Sequence, residues 1–380
     1  MRILAVAPYW APEGGGLERY AHALLSRLAR RGHDVRALAF TGASLPSDTV
    51  DGVPVERLAP RLRIGNTPLD PAFGGALQRA LALHRPDVVV AHTPVPFPAE
   101  VAYAVAKRAR VPFVVTYHAG RLRGSSPALD ALAGIDRATF ERRMLAGAQG
   151  LIAVSPFVRD HALAAHRHRV AVVPPGVDTR SFSPGAPPPE PNVLFVGPLS
   201  RSYRWKGVDV LWDAFGRVRA ELPRARLTLV GDGGRLQEFR GKASDFPGAV
   251  RLAGRVPEAD LVEHYRRASV VVLPSLTDAE SFGMVLAEAN ACGRPVVGSR
   301  IGGIPDFVED GVNGLLARPG DPDDLARGIL SVLRDPAWAD AMGARGRAKV
   351  VRDHDWDALA ARTESVLQHV VEPPVAAPLA

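Results

Sequence analysis

Glu280 and Glu288, with seven residues between them, are two carboxylates of the run 278–295 that could do chemistry together. A carboxylate is a strong acceptor for vicinal hydroxyls such as those of a sugar and a ribose. Ser281 can cap a helix opening at Phe282 or Gly283, with Glu288 two turns inside it, while Gly293 supplies a left-handed stop and Pro295 bars continuation. Such a helix offers its first amides, with their partial positive charge, to an anion such as a diphosphate. An acid that complements the helix dipole, beside an ordinary surface glutamate, is the plainer account; the flanking glycines and Phe282 weigh against it.

Two other loops invite an anion. The run 196–209 holds Arg201, Arg204 and Lys206, and in a chain with 43 arginines and four lysines a lysine here is compositionally unexpected. As a compact charge it suits a phosphate, although a solvated lysine at a helix start would look the same. Gly14, Gly15 and Gly16 precede an amphipathic helix beginning near Leu17, where the backbone can approach a ligand closely. Their spacing matches neither a dinucleotide fingerprint nor a P-loop, and a tight turn alone also explains them.

All three loops follow an apolar run and precede an amphipathic one. Short β-branched runs alternate with longer segments of helical period throughout, the pattern of parallel sheets connected by helices. Strands are expected at 3–7, 35–40, 88–91, 113–117, 151–154 and 170–173, then at 193–196, 227–230, 250–252, 270–273 and 296–298. Five prolines in residues 183–191 make a stiff connector. The expected organisation is therefore an α/β protein with a first doubly wound domain over 1–183, a linker at 184–191 and a second domain over 192–352. Helix-rich sequence continues to about 371, and the tail 372–380 is too poor in large apolar groups to pack.

The chain has 380 residues, 47% apolar and 23% charged, which excludes disorder. Cys292 is the only cysteine, so neither a disulfide framework nor a multi-cysteine metal site is available. No apolar stretch approaches a membrane span and an apparent strand starts directly after Met1, from which a cytoplasmic protein is expected. Residues 1–183 carry 23 basic and 14 acidic side chains against 24 and 26 in the remainder. With only 6% aromatic residues and no finger spacing, nucleic acid is not the expected partner; phosphate-bearing substrates or an anionic membrane surface fit better.

In order, Gly14-Gly15-Gly16 with Glu18, residues 31–35, residues 174–178, Lys206-Gly207-Val208-Asp209, the span from Glu280 to Glu288, and Gly302-Gly303-Ile304-Pro305 resemble glycosyltransferase family 4, also called glycosyl transferases group 1. The similarity spans nearly the whole chain, and the paired glutamates are its most specific element. It implies a retaining enzyme of the GT-B fold, with two Rossmann-like domains facing across a cleft and a final helix, about 355–371, crossing back to the first. The second domain would hold a nucleoside-diphosphate sugar, of mannosyl or glucosyl type, and the first a hydroxyl acceptor. The resemblance assigns Glu280 to donor sugar hydroxyls and Glu288 to the ribose. The amides of Phe282, Gly283 and Met284 and the Gly15-Gly16 loop would line the diphosphate, which Lys206 and an arginine would neutralise. The family's arginine position holds Pro198 here, so Arg201 or Arg204 must replace it, with Arg201 preferred. His118 matches the histidine that touches the donor sugar from the first domain; a satisfied loop histidine is the alternative.

No metal and no other cofactor are expected, because Asp321-Pro322-Asp323 reads as a helix cap and Asp353-His354-Asp355 lies far into the terminal helices. Nor is a base evident, which suits same-face attack with the leaving phosphate taking the acceptor's proton. A sugar-nucleotide epimerase, a phosphorylase and a non-catalytic sugar-nucleotide binding protein are the alternatives of the same architecture. Lys206, Lys242 and Lys349 are poor candidates for the pyridoxal-phosphate lysine that a phosphorylase typically needs. Arg27, Arg30, Arg31, Arg57, Arg61, Arg63, Arg121 and Arg123 cluster in the first domain. They suggest a lipid-linked sugar or phospholipid acceptor at the inner face of a membrane, with soluble phosphorylated sugars or polyols as the other class.

Overall fold

The computed structural model describes residues 1–42, 45–65, 67–119, 134, 136–186 and 190–372, so Arg121, Arg123 and the tail beyond Glu372 lie outside the described residues. The chain divides into two compact units, Met1–Pro175 with the segment from Trp356 onward, and Gly176–Asp355.

In the first unit the sheet is built from β1 (Arg2–Ala7), β2 (Asp34–Phe40), β3 (Asp48–Val50), β4 (Val53–Leu58), β7 (Val88–Thr93), β8 (Phe113–Tyr117), β9 (Gly150–Ala153) and β10 (Val170–Val172); β5 (Leu62–Ile64) and β6 (Thr67–Leu69) form a separate hairpin. The strand order is β10-β9-β8-β7-β1-β2-β4-β3, parallel except for the β3–β4 pair. Residues of β7 and β8 are buried throughout, as expected of parallel strands covered on both faces by helices. The hairpin strands and β3 carry no long apolar run and were not expected; β3 and β5 are largely exposed, and β4 alternates buried and exposed positions but puts Arg57 at a buried one.

The helix Trp356–Val371 belongs to this first unit, where Trp356, Leu359, Ala360 and Leu367 join its core. Arg27 pairs with Asp357, and Arg31 and His33 both reach Glu364, so the helix docks through apolar contact framed by charge. Two of the arginines that suggested a membrane face are thus paired with acids of the same unit. Arg57 is buried and donates to the carbonyls of Trp10 and Ala11.

The second unit contains β11 (Asn192–Val196), β12 (Arg226–Val230), β13 (Val250–Gly254), β14 (Val270–Leu273), β15 (Val296–Ser299) and β16 (Gly314–Ala317), all parallel in the order β13-β12-β11-β14-β15-β16. The order in which successive strands join the sheet reverses between β11 and β14, which makes the loops after these two strands the natural ligand edge. The edge strand β16 was missed because its four residues begin with glycine and give no distinct periodic signal.

The unit boundary falls at Pro175/Gly176, eight residues before the proline-rich connector expected as the linker. Val177 and Phe182 belong to the second core, and the Arg347 guanidinium donates to the carbonyls of Thr179 and Phe182. The connector itself is strapped to the second unit, since Arg294 donates to the carbonyls of Gly185 and Ala186. Proline content says nothing about which core claims the residues before it.

Candidate active site

In the second unit, Lys206 ends a short 3-10 turn, Arg201–Lys206, in the loop after β11, and Glu280 lies in the loop after β14. Their side chains meet: Lys206 Nζ donates to Glu280 Oε2 at 2.5 Å, and Ser275 Oγ donates to the same oxygen at 3.1 Å. Glu280 is 7% exposed, so its charge is offset by one cation and one hydroxyl at a largely dry position. Lys206 Nζ also lies 4.5 Å from the centre of the Trp205 ring, a cation–π contact that holds the ammonium at the loop's end.

Backbone packing sets this meeting. Gly207 has φ of +73°, and a Cβ there would come within 1.9 Å of the Pro274 carbonyl oxygen, so only glycine lets the loop after β11 press against the end of β14. The Leu276 amide then donates to the Trp205 carbonyl at 2.7 Å, tying the two loops together. From the other side Gly302, at φ +59°, would place a Cβ 2.1 Å from the Glu280 carbonyl oxygen, which accepts instead from the Gly303 amide at 2.8 Å. The Gly302-Gly303 motif is therefore a clamp on the backbone of Glu280.

The helix after this loop begins at Met284, not at Phe282 or Gly283, and Ser281 does not cap it. Gly283 is the N-cap in the left-handed conformation, φ +86°, which no right-handed helical residue can share. Phe282 is 4% exposed and packs against Phe307 and His354, so its side chain belongs to the core. Leu286 already donates to the Gly283 carbonyl, which leaves the amides of Met284 and Val285 ahead of the first intrahelical bond. Gly293 has the expected left-handed conformation, φ +71°, just past the helix. Starting later, the helix carries Glu288 one turn inside, not two. Glu288 is 6% exposed and accepts from the buried Tyr265 hydroxyl at 2.6 Å, so the two glutamates have different partners.

Arg201 is exposed and forms no ion pair among the described residues, whereas Arg204 lies 3.9 Å from Asp209. Asp209 is held more firmly by buried Arg235, at 2.6 Å, on the loop after β12. Lys242 pairs with Glu238 and Asp209, and Lys349 with Glu309. Asp321 caps its helix by accepting from the amides of Asp323 and Asp324.

In the first unit, Gly15 N-caps the helix Gly16–Arg30, but its amide donates to the Glu18 carboxylate at 2.7 Å. Burial holds Glu18 above the usual carboxylate range, against the pull of that bond. The amides past Gly15 therefore carry what anion-binding capacity this turn has. His118 follows β8, 9% exposed, and His92 on β7 is its partner, with Nδ1 of His92 2.9 Å from Nε2 of His118. Sequence reasoning missed His92; its position at the carboxyl end of a central strand was the available signal. It also missed Ser275 and Tyr265, for which no local signal exists.

A cluster of three carboxylates was likewise unforeseen. Oxygens of Glu100, Asp136 and Glu141 lie within 4.8 Å of one another, and both oxygens of Glu100 are buried without a hydrogen-bond partner among the described residues. Burial first, then the neighbouring acids, pushes Glu100 up to about 8. Among the described residues no helix is long and apolar enough to cross a membrane.

Comparison with known proteins gives these features a family. Residues 14–181 match the model for glycosyltransferase family 4, and residues 190–335 match that for glycosyl transferases group 1. The D-inositol 3-phosphate glycosyltransferase of Thermobifida fusca is 32% identical, over 91% of this chain and 88% of its own. The phosphatidyl-myo-inositol mannosyltransferase of Mycobacterium tuberculosis is also 32% identical, over 97% of each chain. Among solved structures, sucrose-phosphate synthase from Thermosynechococcus elongatus has a TM-score of 0.78 at 24% identity, covering 97% of this chain and 99% of that one. Anabaena HepE in complex with UDP has a TM-score of 0.77 at 22% identity, covering 97% and 100%. These two share the fold: GT-B, with two Rossmann-like units.

Proposed function

Because this chain belongs to glycosyltransferase family 4, we propose that it transfers a hexose, with retention, from a nucleoside-diphosphate sugar to a hydroxyl of an inositol phosphate. The observation that carries the reading is the Lys206–Glu280 pair at the carboxyl edge of β11 and β14. In the unliganded protein each neutralises the other. A bound donor gives both a better partner: its diphosphate takes the ammonium, and hydroxyls of its sugar donate to the carboxylate.

Arg201, exposed and without an ion pair among the described residues, and the amides of Met284 and Val285 add positive potential where the leaving diphosphate gathers charge. Gly283 shapes that turn, and Phe282 anchors it in the core. Glu288, oriented by Tyr265, receives the ribose hydroxyls. On the first unit His118 hydrogen-bonds the sugar and the Gly15-Gly16 turn serves the phosphates. The leaving phosphate oxygen accepts the acceptor's proton as the glycosidic bond forms on the same face, and no metal takes part. EDTA should leave turnover unchanged; loss that Mg²⁺ or Mn²⁺ restores would refute the metal-free step.

The acceptor reading rests on two relatives that act on one headgroup chemistry, free in one name and lipid-borne in the other. A lipid acceptor would put the work at the inner face of the membrane, a free one in the cytoplasm. The purified protein should be incubated with GDP-mannose, UDP-glucose and other nucleotide sugars, each with soluble inositol phosphate, with phosphatidylinositol vesicles, or with neither. Nucleoside diphosphate released only with one of the two acceptors supports the reading and identifies the source. No release with any combination would overturn it.

A further inference from the structure

His92 and His118 stand on neighbouring parallel strands or just beyond them, His92 in register with Thr116 of β8. Their rings are 5.2 Å apart at 39°, and a single hydrogen bond of 2.9 Å joins Nδ1 of His92 to Nε2 of His118. The pair is walled in. The Tyr20 ring meets His118 edge-on at 4.8 Å and His92 at 6.2 Å; its hydroxyl is fixed to the Val173 carbonyl at 2.9 Å, and Trp356 backs it at 5.8 Å. His92 is 2% exposed, and its Nε2 is buried with no hydrogen-bond partner among the described residues.

Two neutral imidazoles can share this bond in only two ways. If His118 Nε2 were the donor, the one proton of His92 would sit on Nε2, an N–H buried with nothing to accept it. If His92 Nδ1 is the donor, Nε2 of His92 is a bare lone pair. An orphaned buried N–H is the rarer defect in folded proteins, which favours the second arrangement. Resting on the role given above to His118, we infer that His92 is a positioning residue. Its Nδ1–H donates to Nε2 of His118 and so holds that ring with its proton on Nδ1, ready to donate to a sugar hydroxyl oxygen.

Neutrality of both rings is consistent with their burial. Desolvation pushes His92 down to about 3 and holds His118 well below the usual imidazole range, with the His92 ring adding to the effect. His118 then acts as a fixed hydrogen-bond donor and not as a proton shuttle.

The test uses the full chain with ¹⁵N-labelled histidine. Ring-nitrogen spectra between about pH 6 and 8 should show His118, assigned by its loss in His118→Gln, protonated at Nδ1 and bare at Nε2. His92→Asn keeps a donor in place of Nδ1, and should preserve that tautomer with kcat within about threefold of wild type. His92→Asp offers only acceptors; it should move the proton to Nε2 and lower kcat about 100-fold with little change in donor KM. Thermal unfolding checks that each variant is folded. A wild-type His118 protonated at Nε2, or folded Asn and Asp variants with equal kcat, would overturn the inference. Wild-type turnover in His118→Gln would instead overturn the role given to His118. The first failure is read in the wild-type spectrum and the second in turnover, so they can be told apart.

Discussion

At the scale of single residues, the site combines groups whose burial would be costly if they stood alone. Glu280 is nearly dry and depends on Lys206 and Ser275. Glu280→Gln keeps an oxygen that can accept from both, so the fold should survive while transfer falls at least about 100-fold, because the amide accepts sugar hydroxyls weakly. Turnover near wild type at saturating donor would sink the assignment. Lys206→Ala, by contrast, strands the carboxylate and should cost stability as well as diphosphate affinity. Sequence reading had placed both residues at the donor; it could not show that they bind each other when the donor is absent. The lone Cys292 is a core residue whose thiol burial pushes up to about 12.

At the scale of elements, glycines decide how closely the loops approach one another. Gly207→Ala must move either the left-handed backbone or the Pro274 carbonyl, and should cost about 1–3 kcal/mol along with a weaker nucleoside-diphosphate affinity. Chemical denaturation and ligand titration would check both; an unchanged affinity would show that this loop does not serve the phosphate. The C-terminal helix is held differently. Arg31→Glu places like charges beside Glu364, and should destabilise by about 1 kcal/mol, which the swap Arg31→Glu with Glu364→Arg should restore only in part, because it also takes the carboxylate away from His33. Unchanged stability in Arg31→Glu alone would mean that the pairing contributes nothing. For the same reason, charge reversal at Arg27 or Arg31 is a poor probe of membrane binding, since it disturbs the docking of this helix.

At the scale of the whole molecule, pH acts through buried acids far from the diphosphate loop in sequence. Glu100, pushed up to about 8 from its usual 4.5, keeps its proton in the folded protein while the unfolded chain has lost it. Its contribution to stability is therefore complete below about pH 4.5 and is lost as pH rises toward 8. Glu100→Gln should flatten that fall and leave the variant more stable than wild type near pH 8, by as much as about 4 kcal/mol. Urea unfolding of both proteins between about pH 6.5 and 8 measures it, since the histidines titrate alike in the two and cancel in the comparison; identical slopes for the two proteins would refute the buried-acid account. The sequence by itself determined the alternation of strands and helices, the anion-suited loops and the family, because periodicity, turn chemistry and short motifs are local properties of the chain. Which core claims residues 176–183, and which side chains meet, only the tertiary structure decided. Lys206 reaches Glu280 across 74 positions and His92 reaches His118 across 26. Sheet order and strand register bring such pairs together, and these arise from packing summed over the whole unit, a quantity that no short window of sequence carries.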